Sequence, residues 1–185
     1  LDSEDQFRVI KRVSKSLGLD DAKWPPRQIQ WFINKQKDEC RRSKDVEVGD
    51  DYFAEKMNQV YTAYEELCER ESLVDFGELL LRSYMLLRHN EQILEHYQRR
   101  FQHILVDEFQ DTNEVQYQFL RLLTNAGSHI MSVGDDDQSI YGWRGAKSEN
   151  INRFTKDYAG TEVIKLEQNY RSTEIILSAA NAVIK

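Results

Sequence analysis

The chain has 185 residues, a net charge of −7 and 40% hydrophobic residues. This length allows one or two small domains, and the hydrophobic content is enough for a buried core. No run of about 18 apolar residues predicts a membrane span, and no charged-then-apolar start predicts secretion. Cys40 and Cys68 have no nearby set of Cys or His residues, which favours reduced thiols in the cytoplasm over a disulfide or a metal site.

The first 100 residues predict an all-helical subdomain. Apolar residues such as Phe7 and Ile10 recur at helical spacing ahead of Gly18, a glycine that can end a helix. Asp75 followed by Glu78 resembles the capping box of a later helix. The predicted helices begin near Ser3, Pro25 and Pro26, Tyr52, Asp75 and Asn90, and the last ends near Arg100.

A basic segment lies within this helical part. Between Lys23 and Lys44 there are seven basic and two acidic residues, a local surplus of five positive charges in an acidic chain. Because phosphate neutralisation dominates nucleic-acid affinity, this segment could meet the backbone of a DNA duplex. A solvated helix face is the alternative interpretation.

The second half predicts parallel strands joined by helices. Ile104 to Val106 predict a short strand buried on both faces. A helix from about Thr112 separates it from a second strand that begins at His129, and such a unit predicts a right-handed parallel crossover. Val163 to Leu166 predict a third strand, with a helix from Thr173. The fold class is therefore α/β, with the helical part over 1–100 and the parallel-sheet part over 101–185.

Carboxylates follow the first two predicted strands. Asp107 and Glu108 follow the first, and Asp135 opens an acidic run before Gln138 after the second. Parallel strands deliver their carboxyl ends to one edge of the sheet, which is where open α/β sheets bind ligands. One acid can hold a hydrated Mg²⁺ on a nucleotide while its neighbour orients or deprotonates the attacking water. Acids that only solvate a turn are the alternative.

Aromatic and basic side chains follow in two loops. Tyr141 and Trp143 lie among glycines and precede Arg144, which suits stacking on unpaired bases. A core position for Trp143 is the alternative. Tyr170 and Arg171 could cover a planar base and approach a phosphate, although a helix cap beside a surface arginine explains that pair equally well.

Three segments in order resemble motifs II, III and IV of the superfamily 1A DNA helicases: Asp107 to Asn113, Gly134 to Ala146, and Leu166 to Ser172. Their order and spacing make the resemblance specific, and it is strongest with UvrD-like helicases, whose relatives include Rep and PcrA. Residues 1 to about 100 resemble the helical 1B insertion of the same group. The resemblance implies an all-helical insertion followed by part of a RecA-like parallel-sheet motor domain.

The resemblance implies an ATP-dependent helicase that uses ATP and Mg²⁺. By similarity, Asp107 would bind Mg²⁺ and Glu108 would be the general base for the attacking water. Gln138 would contact the γ-phosphate or its water and report hydrolysis to the DNA site. Tyr170 would pack on the adenine, and Arg171 would contact the γ-phosphate.

The resemblance also implies the nucleic-acid partners. Tyr141 and Trp143, with Arg144 beside them, would contact a translocating single strand of DNA. Movement would run 3′→5′, and the protein would act at junctions between single-stranded and duplex DNA, together with repair proteins, in DNA repair or replication.

The glycine-rich phosphate loop of such enzymes is missing from the sequence. None of the eight glycines belongs to a Gly-x-x-x-x-Gly-Lys-Ser/Thr pattern. We therefore expect an internal fragment of a helicase that is inactive alone. Two other classes remain open. One is a metal-dependent phosphoesterase with Asp107, Glu108, Asp111 and Asp135 as ligands, and the other is a non-enzymatic module that binds DNA or protein.

Overall fold

The computed structural model describes residues 1–184, apart from the side chains of Arg144 and Ile184. Helices dominate the first hundred residues, and strands occur only after them in the described part of the chain. In chain order the elements are α1 (Ser3–Ser16), α2 (Pro26–Asp38), α3 (Tyr52–Arg70), α4 (Phe76–His89), α5 (Glu91–Arg100), β1 (His103–Val106), α6 (Glu114–Leu123), β2 (His129–Ser132), α7 (Glu149–Asp157) and α8 (Glu174–Ile184).

The five helices predicted for the first half are confirmed, and aspartates cap three of them. The carboxylates of Asp2, Asp51 and Asp75 accept backbone N–H groups at the starts of α1, α3 and α4. Gly18 follows α1 in the left-handed conformation, with φ of 69°, as a helix-ending glycine should. The capping box at α4 is only half formed, because the side chain of Glu78 pairs with arginines and a lysine instead of returning to the cap.

The first three helices enclose one apolar core. Contacts join α1 to α2 and α3, and α2 to α3. The largest fully buried side chains of this core come from all three helices and are Ile10, Ile29, Ile33, Val60, Tyr61 and Tyr64. Apolar burial of this kind supplies the main stabilising free energy of the helical part.

A buried ionic cluster ties α2 to α4. The Lys37 ammonium, 2% exposed, lies 2.7 Å from the Asp75 carboxylate and 3.1 Å from that of Glu78. The Tyr64 hydroxyl donates to Asp75 at 2.7 Å, and Arg42 pairs with Glu78 at 2.7 Å. Each charge therefore has a partner, which is what makes burial of such groups tolerable.

The helical and α/β parts share contacts across the predicted boundary. Leu81 and Tyr84 of α4 form a second core with Val115 of α6. At the end of α2 the Asp38 carboxylate accepts a 2.8 Å hydrogen bond from the Asn113 side chain, which also caps α6. Burial, with the nearby Glu39 and Asp75 charges, raises the pKa of Asp38 to about 7. The helices therefore pack directly on the segment that follows β1.

The sheet confirms the parallel pairing but not every expected strand. β1 and β2 are parallel, with His103 opposite His129. Val106 and Ile130 face a core around Phe109, Tyr117 and Phe154. The other face is open, with Leu105 77% and Met131 58% exposed.

Two expectations for this sheet are therefore wrong in the part of the chain that the structure describes. The first strand is not covered on both faces, and residues 163–166 form no strand. Residues 163–166 do not pair with β1 or β2, so they form no strand, and the face with Leu105 and Met131 stays exposed because no described element covers it. The α/β class holds in the coarse sense of a mixed chain with a parallel pair. No helix within the described residues is long and apolar enough to cross a bilayer.

Candidate functional site

The two acidic loops meet at the carboxyl ends of the paired strands. The Val133 N–H donates to the Val106 carbonyl at 2.8 Å, and the Phe109 N–H donates to the Val133 carbonyl at 2.9 Å. These two bonds continue the parallel pairing past the last residues of β1 and β2. Asp107 and Glu108 leave the first strand, and Asp135 leaves the second, at this common edge.

Glu108 has a backbone conformation that few residues other than glycine adopt. Its φ is 50° and its ψ is 44°, in the left-handed region. The Glu108 N–H donates to the Asp107 carboxylate at 2.9 Å. A left-handed turn held in this way aims successive carboxylates in different directions, and such conformations are concentrated at functional sites.

Gln110 joins the two loops, a role that sequence reasoning did not assign. It is 1% exposed, and its Nε2 donates to the Glu108 carboxylate at 2.6 Å. Its Oε1 accepts the Asp135 N–H at 3.0 Å. The only signal in the sequence is an uncharged polar residue between two acids, which is too common to identify a bridge.

The loop after β2 is held by its first acid. The Asp135 carboxylate accepts the Asp137 N–H at 3.1 Å and the Gln138 Nε2 at 2.7 Å. These bonds shape a short 3-10 turn at 136–138. The Gln138 amide is therefore one hydrogen bond away from Asp135, and the Asp135 N–H is in turn bonded to Gln110.

The aromatic pair lies further along the same loop. Trp143 is 67% exposed, so it is not a core residue. Its ring lies 6.4 Å from the ring of Tyr141, between centroids, at an interplanar angle of 51°. The Arg144 side chain lies outside the described residues. Gly145 closes the turn with φ of 82°, and a Cβ there would lie 3.1 Å from an Asp38 carboxylate oxygen, so this loop sits against the end of α2.

The structure does not bring Tyr170 and Arg171 to the acidic loops. Tyr170 is 86% exposed, and Arg171 is also exposed. The Asn169 side chain accepts the Arg171 and Ser172 N–H groups at 2.8 and 2.9 Å, which forms a local turn before α8. No hydrogen bond or ion pair of the described residues ties 163–184 to the rest of the chain. The roles implied for these two residues stay predictions.

The acidic edge fits one hydrated Mg²⁺ better than a cage of protein ligands. A cavity of about 330 Å³ is lined by Asp107, Glu108 and Asp111, among others. The Asp111 Oδ1 is buried and has no hydrogen-bond partner among the described residues. Mg²⁺ accepts one or two carboxylates while it keeps several waters, so this donor set suits it.

A two-metal phosphoesterase site finds no support in this geometry. Such a site needs several protein ligands converging on ions about 3.5–4 Å apart. No group of three or more His, Cys, Asp or Glu side chains within the described residues is arranged to hold a metal ion. Asp107, Glu108, Asp111 and Asp135, the four acids considered for that chemistry, are not grouped in that way among the described residues.

Comparison with known proteins matches the chain to one family. The model of the UvrD/REP helicase N-terminal domain matches residues 1–159. The chain is 56% identical over 185 residues to DNA helicase II of Escherichia coli (strain K12), of which it covers 26%. It is 52% identical over 184 residues to DNA helicase II of Haemophilus influenzae, of which it covers 25%.

A third relative is more distant. The chain is 43% identical over 186 residues to the ATP-dependent DNA helicase PcrA of Staphylococcus aureus (strain NCTC 8325 / PS 47). In all three comparisons the whole chain is aligned, and it spans about a quarter of the length of the relative.

Proposed function

Because the chain belongs to the UvrD/REP helicase family, we propose that the full-length gene product is an ATP-dependent DNA helicase. It translocates 3′→5′ on single-stranded DNA, acts at junctions with duplex DNA and works with repair proteins in DNA repair or replication. The cytoplasm is the expected location. The observation that carries the proposal is the joining of two acidic loops at one edge of a parallel sheet.

The residues at this edge divide the work of ATP hydrolysis. Asp107 would hold Mg²⁺ on the nucleotide, where the ion would supply charge neutralisation for the transferred phosphoryl group. Glu108 accepts a proton from the attacking water. Gln138 contacts the γ-phosphate or that water through an amide that adds no charge. Tyr170 covers the adenine and Arg171 contacts the γ-phosphate once nucleotide is bound.

The same loop connects the nucleotide to DNA. Gln138 and the aromatic pair Tyr141 and Trp143 lie within six residues of one another. The exposure of the Trp143 ring supports stacking on an unpaired base, because every base offers a π-face. Arg144 adds a positive charge beside these rings.

Removal of the general base is the direct test. Glu108→Gln keeps the size and the Gln110 contact but cannot accept a proton. DNA-stimulated ATP hydrolysis by the full-length gene product should fall by about two orders of magnitude or more. Mg-ATP binding, measured by calorimetry, should stay largely intact. Wild-type turnover in this variant would remove Glu108 from the catalytic role.

Removal of the metal-binding carboxylate has a different signature. Asp107→Ala should weaken nucleotide binding in the presence of Mg²⁺, with little effect in its absence. A titration of nucleotide affinity against magnesium concentration distinguishes the two variants. An unchanged magnesium dependence would contradict the assignment of Asp107.

A further inference from the structure

We propose that Gln110 is a positioning residue that holds the general base and the phosphate-contacting loop in one shared arrangement. It touches neither nucleotide nor DNA in this role. It acts by fixing where Glu108 points and where the loop that begins at Asp135 lies. This role rests on the proposed function, since it assigns how the two sides of that nucleotide site are coupled.

Both polar groups of the Gln110 amide form hydrogen bonds, and the chemistry of the two partners allows only one orientation of the amide. The Glu108 carboxylate only accepts hydrogen bonds, so it must face the Nε2 at 2.6 Å. The Asp135 N–H only donates, so it must face the Oε1 at 3.0 Å. The side chain is 1% exposed. A buried amide with both groups satisfied has little freedom to move, because each lost bond leaves a buried polar group unpaired.

A continuous chain of hydrogen bonds therefore runs through Gln110. From the Glu108 carboxylate it passes through the Gln110 amide to the Asp135 N–H, and the Asp135 carboxylate then holds the Gln138 amide at 2.7 Å. It connects the proton acceptor to the group that contacts the γ-phosphate. A displacement of the Glu108 carboxylate or of the Asp135 backbone must stretch or break a bond at Gln110.

Gly134 shows how tightly the bridge is enclosed. A Cβ at this position would lie 2.7 Å from the Gln110 Oε1 and 3.3 Å from the backbone nitrogens of Phe109 and Gln110. Such a separation is below van der Waals contact, so any larger residue must push the amide aside. The glycine thus lets the second loop approach close enough for the Asp135 N–H to reach Gln110.

The first test replaces the amide by an apolar chain of similar length. Gln110→Met in the full-length gene product should lower kcat for DNA-stimulated ATP hydrolysis at least about tenfold, since a small misplacement of a catalytic group is costly. The KM for Mg-ATP should stay within about threefold, because Asp107, which holds the metal on the nucleotide in the proposed function, has no hydrogen bond to Gln110 and keeps its place. Stimulation by single-stranded DNA should be lost in the same variant.

A matched control separates positioning from folding. Gln6 is also a buried glutamine outside the basic segment; its Nε2 donates to Asn34 and Asp75, and its Oε1 accepts from Gln30. Gln6→Met should lower the unfolding temperature without changing kcat per folded molecule. If Gln110→Met behaves like this control, Gln110 is only structural and the inference is wrong.

The second test displaces the Gln110 amide without removing any hydrogen-bonding group from the protein. Gly134→Ala should reproduce the loss of kcat and of DNA stimulation, because its Cβ displaces the Gln110 amide. In the background of Gln110→Ala the same change should cost much less, since the clash is gone, so the two effects should not add. Gly127→Ala is the control, because its Cβ would meet only Asn125 at 3.4 Å.

The outcomes distinguish the positioning role from the proposed function. If wild-type protein shows no DNA-stimulated hydrolysis, the proposed function fails. If wild type is active and Glu108→Gln is not, but Gln110→Met and Gly134→Ala keep full kcat and stimulation, only the positioning role fails. Additive losses in the Gln110 and Gly134 double variant would also overturn it, and this holds even if Gln110→Met does not fold.

Discussion

At the scale of single residues, exposure and backbone geometry decide between interpretations that the sequence left open. Trp143 could have been a core residue or a surface for bases, and its exposed ring excludes the core. Glu108 could have solvated a turn, yet it occupies a left-handed conformation with a buried amide on its carboxylate. Neither property is visible in residue types, because exposure and backbone conformation are set by the folded chain.

Trp143→Ala should weaken single-strand binding and leave folding unchanged. Loss of a stacked base costs roughly 1–3 kcal/mol, while truncation of an exposed side chain moves stability by about 0.5 kcal/mol or less. Fluorescence anisotropy with an oligonucleotide and a thermal melt measure the two effects on the full-length gene product. Leu79→Ala is a control, since Leu79 is an apolar side chain 56% exposed on α4 and lies outside the basic segment. Normal affinity with a lowered melting temperature would show that Trp143 acts through packing.

At the scale of elements, charge and not only apolar packing joins α2 to α4. Lys37 and Arg42 lie at and just beyond the end of α2, and their partners Asp75 and Glu78 lie at the start of α4. Negative charge near a helix start and positive charge near a helix end each suit the helix dipole. The cluster sets the position of α2, whose last residue, Asp38, contacts the segment after β1.

Low pH should weaken the charge cluster between α2 and α4, because Glu78 loses its negative charge. Burial opposes its ionisation, but Lys37 and the hydrogen-bonded Arg42 and Arg82 outweigh burial and lower the pKa of Glu78 to about 2 from 4.5. Because the pKa of Glu78 is lower in the folded state than in the unfolded state, ionised Glu78 stabilises the folded state above pH 4.5. This contribution, up to about 3 kcal/mol, disappears as the pH falls toward 2. Because the raised pKa of Asp38 favours the folded state as the pH falls over the same range, the loss at Glu78 is measured as the difference in urea unfolding between wild type and a Glu78 variant from pH 6 to 3.

Two variants isolate the contribution of Glu78. Glu78→Gln should make stability less dependent on pH over this range than it is in wild type. Glu71→Gln removes an exposed ion pair with Arg12, and such pairs are worth about 1 kcal/mol or less. Equal pH dependence in Glu78→Gln and wild type would exclude the cluster as the acid-sensitive element.

At the scale of the whole molecule, apolar surface is left open on the α/β side. Leu105 and Met131 project from the uncovered face of the sheet, and Ile175 and Val183 of α8 are more than four-fifths exposed. Contiguous exposed apolar surface marks an interaction site or a tendency to aggregate. In the helical part, the first three helices bury many apolar side chains in one core, although Trp31 and Phe76 are exposed.

The 185-residue polypeptide by itself should not hydrolyse ATP. Its sequence has no glycine-rich phosphate loop, so no backbone nest of that kind holds the β- and γ-phosphates. Nucleotide affinity should be millimolar at best, on the order of −4 kcal/mol. Phosphate release with and without single-stranded DNA measures this, with the full-length gene product as the active control. Robust DNA-stimulated hydrolysis by these residues alone would contradict the expectation of an inactive fragment.

The sequence by itself determined the local structure and the identity of the polar loops. Helical periodicity predicted α1 to α5, with Pro25 and Pro26 marking the start of α2 and Asp75 the start of α4, and the order of short apolar runs and helices predicted the parallel pair β1 and β2. These features depend on neighbours a few residues apart, so residue types are enough to reveal them. Family membership followed from the same residues.

Only the tertiary structure decided how the loops are coupled and which faces are covered. The hydrogen bond from the Asp135 N–H to the Gln110 side chain exists because parallel pairing brings together segments 25 residues apart. Tertiary structure also decided three other features. The face of β1 is open, residues 163–166 form no strand within the described residues, and Tyr170 and Arg171 lie away from the acidic loops. A strand forms and a face is buried only when another segment supplies the hydrogen bonds and apolar surface, and no residue type specifies that supply.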